Sequence, residues 1–278
     1  MPRRRGKRRE RISGRDLEVL EWIARYGVVP RSAVAVRAGT GRSVTFDRER
    51  RLREAHLIEV HPPFVAGGAL LLPTRRGLAA CGRPELRPAR FSPHTIRHSI
   101  VVAHVAARLE LAGERLLSER EIRSDERLER ERVYSAEQRR RGRGHHRPDL
   151  IRLTGDRPEA IEVELTNKAP QRLDELLRRW RDAVLMKKVA RVLYLCPPKT
   201  LRYVERSLER ISAKNSEKVV ACALVLPDLS LPRPTRQPSG GLGEAVKGRR
   251  PDPRRGLTAA PPPLPSRVSR AARVGSLE

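Results

Sequence analysis

The sequence predicts a chain of the α+β or α/β class, in which three helices and a β-hairpin come first and a mixed sheet flanked by helices follows. Three observations support this prediction. Apolar residues recur at helical spacing in several segments. Short, nearly continuous apolar runs such as 191–196 are typical of buried strands. Both ends of the 278-residue chain are basic and poor in residues that could form a core.

The charge of the chain points to a polyanionic partner. There are 60 Lys and Arg against 33 Asp and Glu, which gives a formal net charge of +27. Such a positive field favours capture of nucleic acid through phosphate neutralisation, so double-stranded DNA is the expected partner. An anionic membrane surface is the alternative, but we find no basic amphipathic helix with a broad apolar face and no lipidation motif.

The remaining composition favours a soluble, cytoplasmic protein without a membrane partner. No apolar run approaches the roughly 18 residues of a membrane span, and no apolar signal segment follows the basic start. The three cysteines, Cys81, Cys196 and Cys222, stand in apolar surroundings without metal-ligand spacing. We therefore interpret them as small buried side chains.

Composition also divides the chain into segments. Residues 1–12 are basic and residues 228–278 are rich in Pro, Arg, Gly and Ser, so we predict a disordered arm and a disordered tail. Between them, two prolines and scattered Arg without periodicity predict a linker at 83–93. This linker separates a first domain, 13–82, from a second domain, 94–227.

The first domain begins with a helix whose ends are marked in the sequence. Ser13 and Asp16 stand at the spacing of a capping box, and Gly27 is a helix stop. The pattern then predicts a helix at 31–38, a helix at 43–55, strands near 57–60 and 69–72, and a short helix capped by Thr74.

This order of elements, with the stretches RRLREAHLIEV and LLLPTRRGL, resembles a winged helix-turn-helix domain. Pro73 interrupts the Leu-x-Thr-x-x-Gly turn of that family. The resemblance implies a recognition helix whose first residues meet DNA. The residues expected at the DNA are Arg42, Ser43, Thr45 and Arg48. A solvated basic face and a protein-docking role remain alternatives.

The second domain alternates helices with apolar strands. An apolar stripe supports the long helix at 171–189, and the last two apolar runs predict central strands. The predicted elements are a helix at 94–112, a strand at 116–122, a charged insertion at 120–147, strands at 148–153 and 159–166, the helix at 171–189, a strand at 191–196, a helix at 199–212 and a strand at 218–226.

Three carboxylates are spaced so that a hairpin would gather them. In HHRPDLIRLTGDRPEAIEVELTNK, the TGD turn joins two strands, and Asp149 then approaches the end of the second strand that carries Glu162 and Glu164. Such a set suits Mg²⁺, which takes carboxylate oxygens and retains waters. A metal held there would activate water and stabilise charge on a phosphodiester.

Pro148-Asp149 and Glu162-Val163-Glu164, within this order of elements, resemble the PD-(D/E)XK nuclease superfamily. The resemblance implies that Asp149 and Glu162 ligate the metal and that Glu164 occupies the third catalytic position. That position is usually Lys, and Lys168 just beyond the strand is the candidate to supply the missing charge. An active nuclease, a degenerate nuclease fold that only binds DNA, and an amphipathic hairpin with a wet acidic face all remain open.

The whole ordered chain is similar to the replication-relaxation family, through TIRHSIVVAHVAARL, RPDLI and IEVELTNK. This implies a role in replication, relaxation or transfer of plasmids or mobile elements. A non-catalytic regulator or replication accessory factor is the alternative, and RNA binding is disfavoured because aromatic residues are few. His98 belongs to the family pattern, but its spacing favours a satisfied core histidine.

The charged insertion contains a second basic candidate. Glycine-spaced arginines beside the acidic site are expected to grip a DNA backbone, or else to form a solvated loop. The arginines concerned are Arg139, Arg140, Arg141 and Arg143. His145 and His146 follow them, and a tandem His pair without partners only weakly suggests metal ligation.

Overall fold

The computed structural model describes residues 11–62, 68–137, 145–153, 155–211 and 219–223. Within these ranges the chain is a mixed α+β protein with one mixed five-stranded sheet, one three-stranded sheet and one two-stranded ribbon. None of the described helices is long and apolar enough to cross a membrane. The predicted tail, and all of the predicted arm except its last two residues, lie outside the described residues.

The first block contains the predicted helices and hairpin in the predicted order. Its elements are α1 (Gly14–Tyr26), β1 (Val29–Pro30), α2 (Arg31–Ala38), α3 (Arg42–Glu54), β2 (Ile58–His61), β3 (Leu70–Pro73) and α4 (Arg75–Ala80). The two-residue β1 was not predicted. It adds to the hairpin by pairing antiparallel with β3, which gives the sheet order β1-β3-β2.

The predicted capping box at the start of α1 is confirmed and has an additional partner. The Ser13 hydroxyl accepts from the backbone N–H of Asp16, and the Asp16 carboxylate accepts from the Ser13 N–H. The same carboxylate accepts two hydrogen bonds from the guanidinium of Arg51 on α3, at 2.8 and 3.1 Å. The cap therefore also joins α1 to α3.

Thr74 and Gly77 hold the short helix α4 against the beginning of the hairpin. The Thr74 hydroxyl accepts from the Gly77 N–H at 2.9 Å, as predicted for a cap, and donates to the carbonyl of His56 at 2.8 Å. An added Cβ on Gly77 would lie 2.0 Å from the carbonyl oxygen of Leu57. The glycine is required because backbone approaches backbone at this point.

The second block contains the predicted helices and strands in the predicted order, and the segment predicted as a charged insertion holds four further short elements that were not predicted. Its elements are α5 (Ile96–Leu111), β4 (Leu116–Ser118), α6 (Glu119–Ser124), α7 (Glu126–Glu131), β5 (Ala136–Glu137), β6 (His145–His146), β7 (Leu150–Arg152), β8 (Glu159–Val163), α8 (Pro170–Leu185), β9 (Val192–Cys196), α9 (Pro198–Arg210) and β10 (Val219–Ala223). The four unpredicted elements are α6, α7, β5 and β6. The predicted strand 116–122 is wrong beyond Ser118, because Ser118 and Glu121 form a capping box that starts α6.

The strand order of the large sheet is β10-β9-β8-β7-β4. Strand β9 is central, between parallel partners β8 and β10, as its apolar sequence predicts. The same prediction is wrong for β10, which is an edge strand in the described part of the chain. The predicted apolar stripe of α8 is buried throughout, with Leu177 and Trp180 fully enclosed.

The two blocks share one hydrophobic core across the segment predicted as a linker. A single cluster contains Leu20 and Leu52 from the first block and Leu150 and Ile161 from the second. The segment 83–93 is itself packed. Leu86 contacts Ala24 and Leu78, and Phe91 stacks on His61 with ring centroids 5.5 Å apart.

Candidate functional site

The acidic site forms where the hairpin of β7 and β8 ends. The two strands are antiparallel, as predicted, with Leu150 opposite Ile161 and Arg152 opposite Glu159. Asp149 immediately precedes β7, so this register places it across from Glu162. The hairpin therefore brings these two predicted carboxylates to the same end of the sheet.

Asp149 is held by the backbone of β8 and by a histidine from α5. Its Oδ2 accepts a hydrogen bond from the Val163 N–H at 2.8 Å and lies 3.1 Å from Nε2 of His98. The same His98 nitrogen lies 3.1 Å from the Val163 carbonyl oxygen. The side chain of His98 is 40% exposed, so the prediction of a core histidine is wrong.

Glu162 is buried and bonded to a second histidine. Its Oε1 lies 2.8 Å from Nε2 of His146, and the residue is 7% exposed. The His146 ring stands edge-on to Trp180 of α8, with centroids 5.9 Å apart. Each carboxylate of the pair thus has its own histidine, and the sequence indicated neither contact.

The pKa values in the site reflect competition between burial and charge. Burial raises the pKa of Glu162 above its ordinary value, and the negative charge of Asp149 adds to this, against the lowering effects of His146 and Lys168. Burial acts to lower the pKa of His98 and of His146. The neighbouring carboxylates outweigh it, so both histidine pKa values are raised.

The third carboxylate, Glu164, forms an ion pair with Lys168. Burial lowers the pKa of the Lys168 amine, while the charges of Glu162 and Asp149 favour its protonated form. Lys168 therefore adjoins the acidic pair, as the sequence predicts for the missing positive charge. In the described part of the chain, no group of three or more His, Cys, Asp or Glu is arranged to hold a metal ion.

Tyr194 adds a polar group that sequence reasoning missed. It lies beside Glu162 in the parallel register of β8 and β9 and is fully buried. Burial, together with the charges of Glu162, Cys196 and Asp149, raises its pKa well above the ordinary value. Its hydroxyl has no hydrogen-bond partner among the described residues. The strand next to the carboxylates thus carries a buried hydroxyl that is shielded from solvent.

The predicted DNA contacts of the first block are only partly on the surface. Arg42 and Ser43 are exposed at the start of α3, and Arg48 is half-buried. Thr45 is 2% exposed, and its hydroxyl donates to the carbonyl of Gly41, so the prediction that it contacts DNA is wrong. The arginines predicted to grip DNA from the insertion, residues 139–141 and 143, lie outside the described residues.

A basic face beside the acidic site was not predicted. Lys199, Arg202 and Arg206 recur at helical spacing on the outside of α9 and are exposed. They line an open cavity of about 500 Å³ together with Asn167 and Tyr203. The Tyr203 hydroxyl donates to the carbonyl of Lys168 at 2.8 Å, which connects this cavity to the acidic site.

Comparison with known proteins finds no matching family model, no matching curated protein and no matching solved structure.

Proposed function

We propose that this protein binds double-stranded DNA and carries a PD-(D/E)XK-like nuclease site, in keeping with its resemblance to the replication-relaxation family. The observation that supports this proposal best is the pairing of Asp149 with Glu162 at one end of adjacent strands, with Lys168 beside them. Two carboxylates and one lysine provide metal ligands and a phosphate-binding cation in the same place.

The donor set fits Mg²⁺, which proteins usually hold through one or two carboxylates while waters and phosphate oxygens complete the coordination. Asp149 and Glu162 would hold the ion. When bound, the ion would activate water and stabilise the charge that develops on a phosphodiester.

The protein's own residues would have separate roles around this centre. The Lys168 ammonium, which forms an ion pair with Glu164, would also bind a phosphate oxygen of the scissile strand. His98 and His146 hold the two carboxylates in place through the contacts at 3.1 and 2.8 Å.

The basic surfaces support DNA as the substrate. The three cations of α9 form no ion pair within the described residues, so their charges are available to phosphates. They adjoin the acidic site through Tyr203, which suggests that the DNA backbone passes along α9 to reach the carboxylates. Exposed Arg42 and Ser43 would provide the contacts of a winged helix with duplex DNA.

The experiment is nicking of supercoiled plasmid by the full chain with Mg²⁺ or Mn²⁺. Wild-type protein is compared with Asp149→Asn and with Glu175→Gln, a matched loss of one carboxylate from the exposed surface of α8. We expect nicking by wild type and by Glu175→Gln, and at least about 100-fold less by Asp149→Asn. Equal nicking by all three would indicate a contaminating nuclease and overturn the catalytic assignment.

A non-catalytic DNA-binding function is the second candidate. The contacts of the three carboxylates favour it. Asp149 and Glu162 each contact a histidine and Glu164 contacts a lysine, so protein groups occupy the places that a metal ion would take. Under this alternative, wild type retards duplex DNA in a gel but produces no nicks with either metal. The plasmid experiment with a parallel binding assay therefore separates the two candidates.

A further inference from the structure

We propose that the first block contains a binding site for a small anion, in an open cavity between α1, α2 and α3. This site lies apart from the acidic pair and from the basic face of α9. The proposal is independent of the proposed function. Its basis is the lining of the cavity and two arginines that form no ion pair with any described residue.

The cavity has a volume of about 260 Å³. This is slightly below the usual range of ligand pockets, roughly 300–1,000 Å³, and suits a compact molecule rather than a duplex. The residues that line it include Arg15, Trp22, Val34, Arg37 and Arg48. Apolar walls with a few convergent polar groups are typical of small-molecule sites.

Positive charge predominates in the lining. Arg15, Arg37 and Arg48 face one carboxylate, Glu18. Arg37 is engaged elsewhere, since its Nε lies 2.6 Å from the carboxylate of Glu110. Arg15 and Arg48 form no ion pair with any residue that the structure describes. Two guanidinium groups without an ion-pair contact, beside a cavity whose lining holds one carboxylate, Glu18, are a suitable site for a phosphate or carboxylate group.

Trp22 contributes an apolar wall to the cavity. It is 4% exposed, and its indole Nε1–H is shielded from solvent and has no acceptor among the described residues. The ring therefore packs against a ligand rather than donating to it, and the guanidinium groups provide the polar contacts.

These observations identify the ligand by its chemistry. It is a small molecule with a phosphate or carboxylate group that accepts from the guanidinium groups of Arg15 and Arg48 and packs against the Trp22 ring. Duplex DNA does not fit the cavity, whose walls are three packed helices. The exposed start of α3, with Arg42 and Ser43, is the part of that helix left for a macromolecule.

The test uses Trp22 itself as the reporter. The chain has two tryptophans, so Trp180→Phe leaves Trp22 as the only indole. This variant is titrated with inorganic phosphate and, separately, with citrate, at constant ionic strength held by NaCl. We expect a saturable change of Trp22 emission with one or both anions, confirmed by calorimetry on the wild-type chain. The two titrations distinguish phosphate from carboxylate chemistry.

Matched variants decide whether the cavity is the site. Arg15→Gln with Arg48→Gln should weaken binding by about tenfold or more, because each removes a charge-assisted hydrogen bond. Arg76→Gln, an exposed substitution on α4, removes a positive charge from elsewhere and should leave the affinity unchanged. Trp22→Phe, followed by calorimetry, should weaken binding by a smaller factor.

Two outcomes would overturn the inference. One is the absence of saturable binding with both anions. The other is equal weakening by Arg76→Gln and by the cavity variants, since that result would indicate general attraction to a basic chain. Circular dichroism of each variant confirms that the fold is retained. If the variant with both arginines replaced does not fold, the single Arg15→Gln substitution, at an exposed position of α1, is tested in its place.

Discussion

Nε2 of His98 lies 3.1 Å from a carboxylate oxygen of Asp149, although 51 positions separate the two residues in the chain. This contact connects α5 to the end of the β7–β8 hairpin. His146 reaches Glu162 from the opposite side, where its ring meets α8 through Trp180. The acidic pair is therefore fixed by histidines from two separate segments, and both should contribute to stability as well as to the site.

The first prediction concerns the contribution of this contact to stability. His98→Gln and Asp149→Asn should each lower the free energy of unfolding by about 1–2 kcal/mol, since each leaves a partner unsatisfied. The double variant should cost less than the sum of the two by roughly 0.5–1 kcal/mol, because the lost interaction is shared. Urea denaturation of all four proteins measures the difference. Strict additivity would show that the two side chains do not interact.

Some residues of the candidate site could be predicted from the sequence and others could not. Asp149, Glu162 and the hairpin were predictable because strand alternation and the TGD turn are local patterns. The contact of His98 was not, since it arises when α5 packs against a hairpin 51 positions away. The contact of His146 with Glu162 spans only 16 positions, but the tandem His pair did not show which carboxylate its ring would meet. Tyr194 was missed because its apolar strand shows nothing of the buried charge on the neighbouring strand.

The fold shows the same division between local and distant signals. The cap at Ser13 and the stop at Gly27 set the bounds of α1 within a residue of the prediction. The capping box of Ser118 and Glu121 is an equally local signal, which was passed over in favour of extending a strand. Thr45 was misplaced for another reason: helical spacing did not show which side of α3 faces the core.

Gly77 gives a prediction about packing. Gly77→Ala would place a Cβ 2.0 Å from the Leu57 carbonyl oxygen, so the strand must move. We expect a loss of about 1–3 kcal/mol in the free energy of unfolding, despite the better helix propensity of Ala. The matched control is Gly14→Ala on α1, which meets no atom within 4 Å and should be neutral or stabilising. Equal stability of the two variants would contradict the close approach.

Asp16 gives a prediction about pH. Burial works to raise its pKa, but hydrogen bonds from Arg51 and Ser13 outweigh burial, so the pKa lies below the model-compound value of 3.8. Below that value the unfolded chain binds more protons than the folded chain, so stability falls as the pH falls. The stability that ionised Asp16 contributes is complete above pH 3.8. It is lost as the pH drops through the pKa that Asp16 has in the folded chain.

Asp16→Asn tests this dependence. The variant should lose about 2 kcal/mol of unfolding free energy at neutral pH, because it loses the charge that strengthens the two hydrogen bonds from Arg51. It should also show a shallower decline of stability in acid than wild type. Asp47→Asn is the control, since this exposed carboxylate lies 3.5 Å from Arg50 and should contribute less than about 0.5 kcal/mol. If the stability of Asp16→Asn declined in acid as steeply as that of wild type, Asp16 would not be the source of this pH dependence.

The basic face of α9 gives a prediction about DNA affinity. Arg202→Gln with Arg206→Gln should reduce the slope of log affinity against log salt by about 1.8, if each arginine neutralises one phosphate. The control pair, Arg157→Gln with Lys187→Gln, removes the same charge from exposed positions at the opposite end of the sheet, before β8 and β9 begin. These substitutions should leave the slope nearly unchanged. If both pairs lower it equally, DNA is attracted by net charge alone and does not follow α9 to the carboxylates.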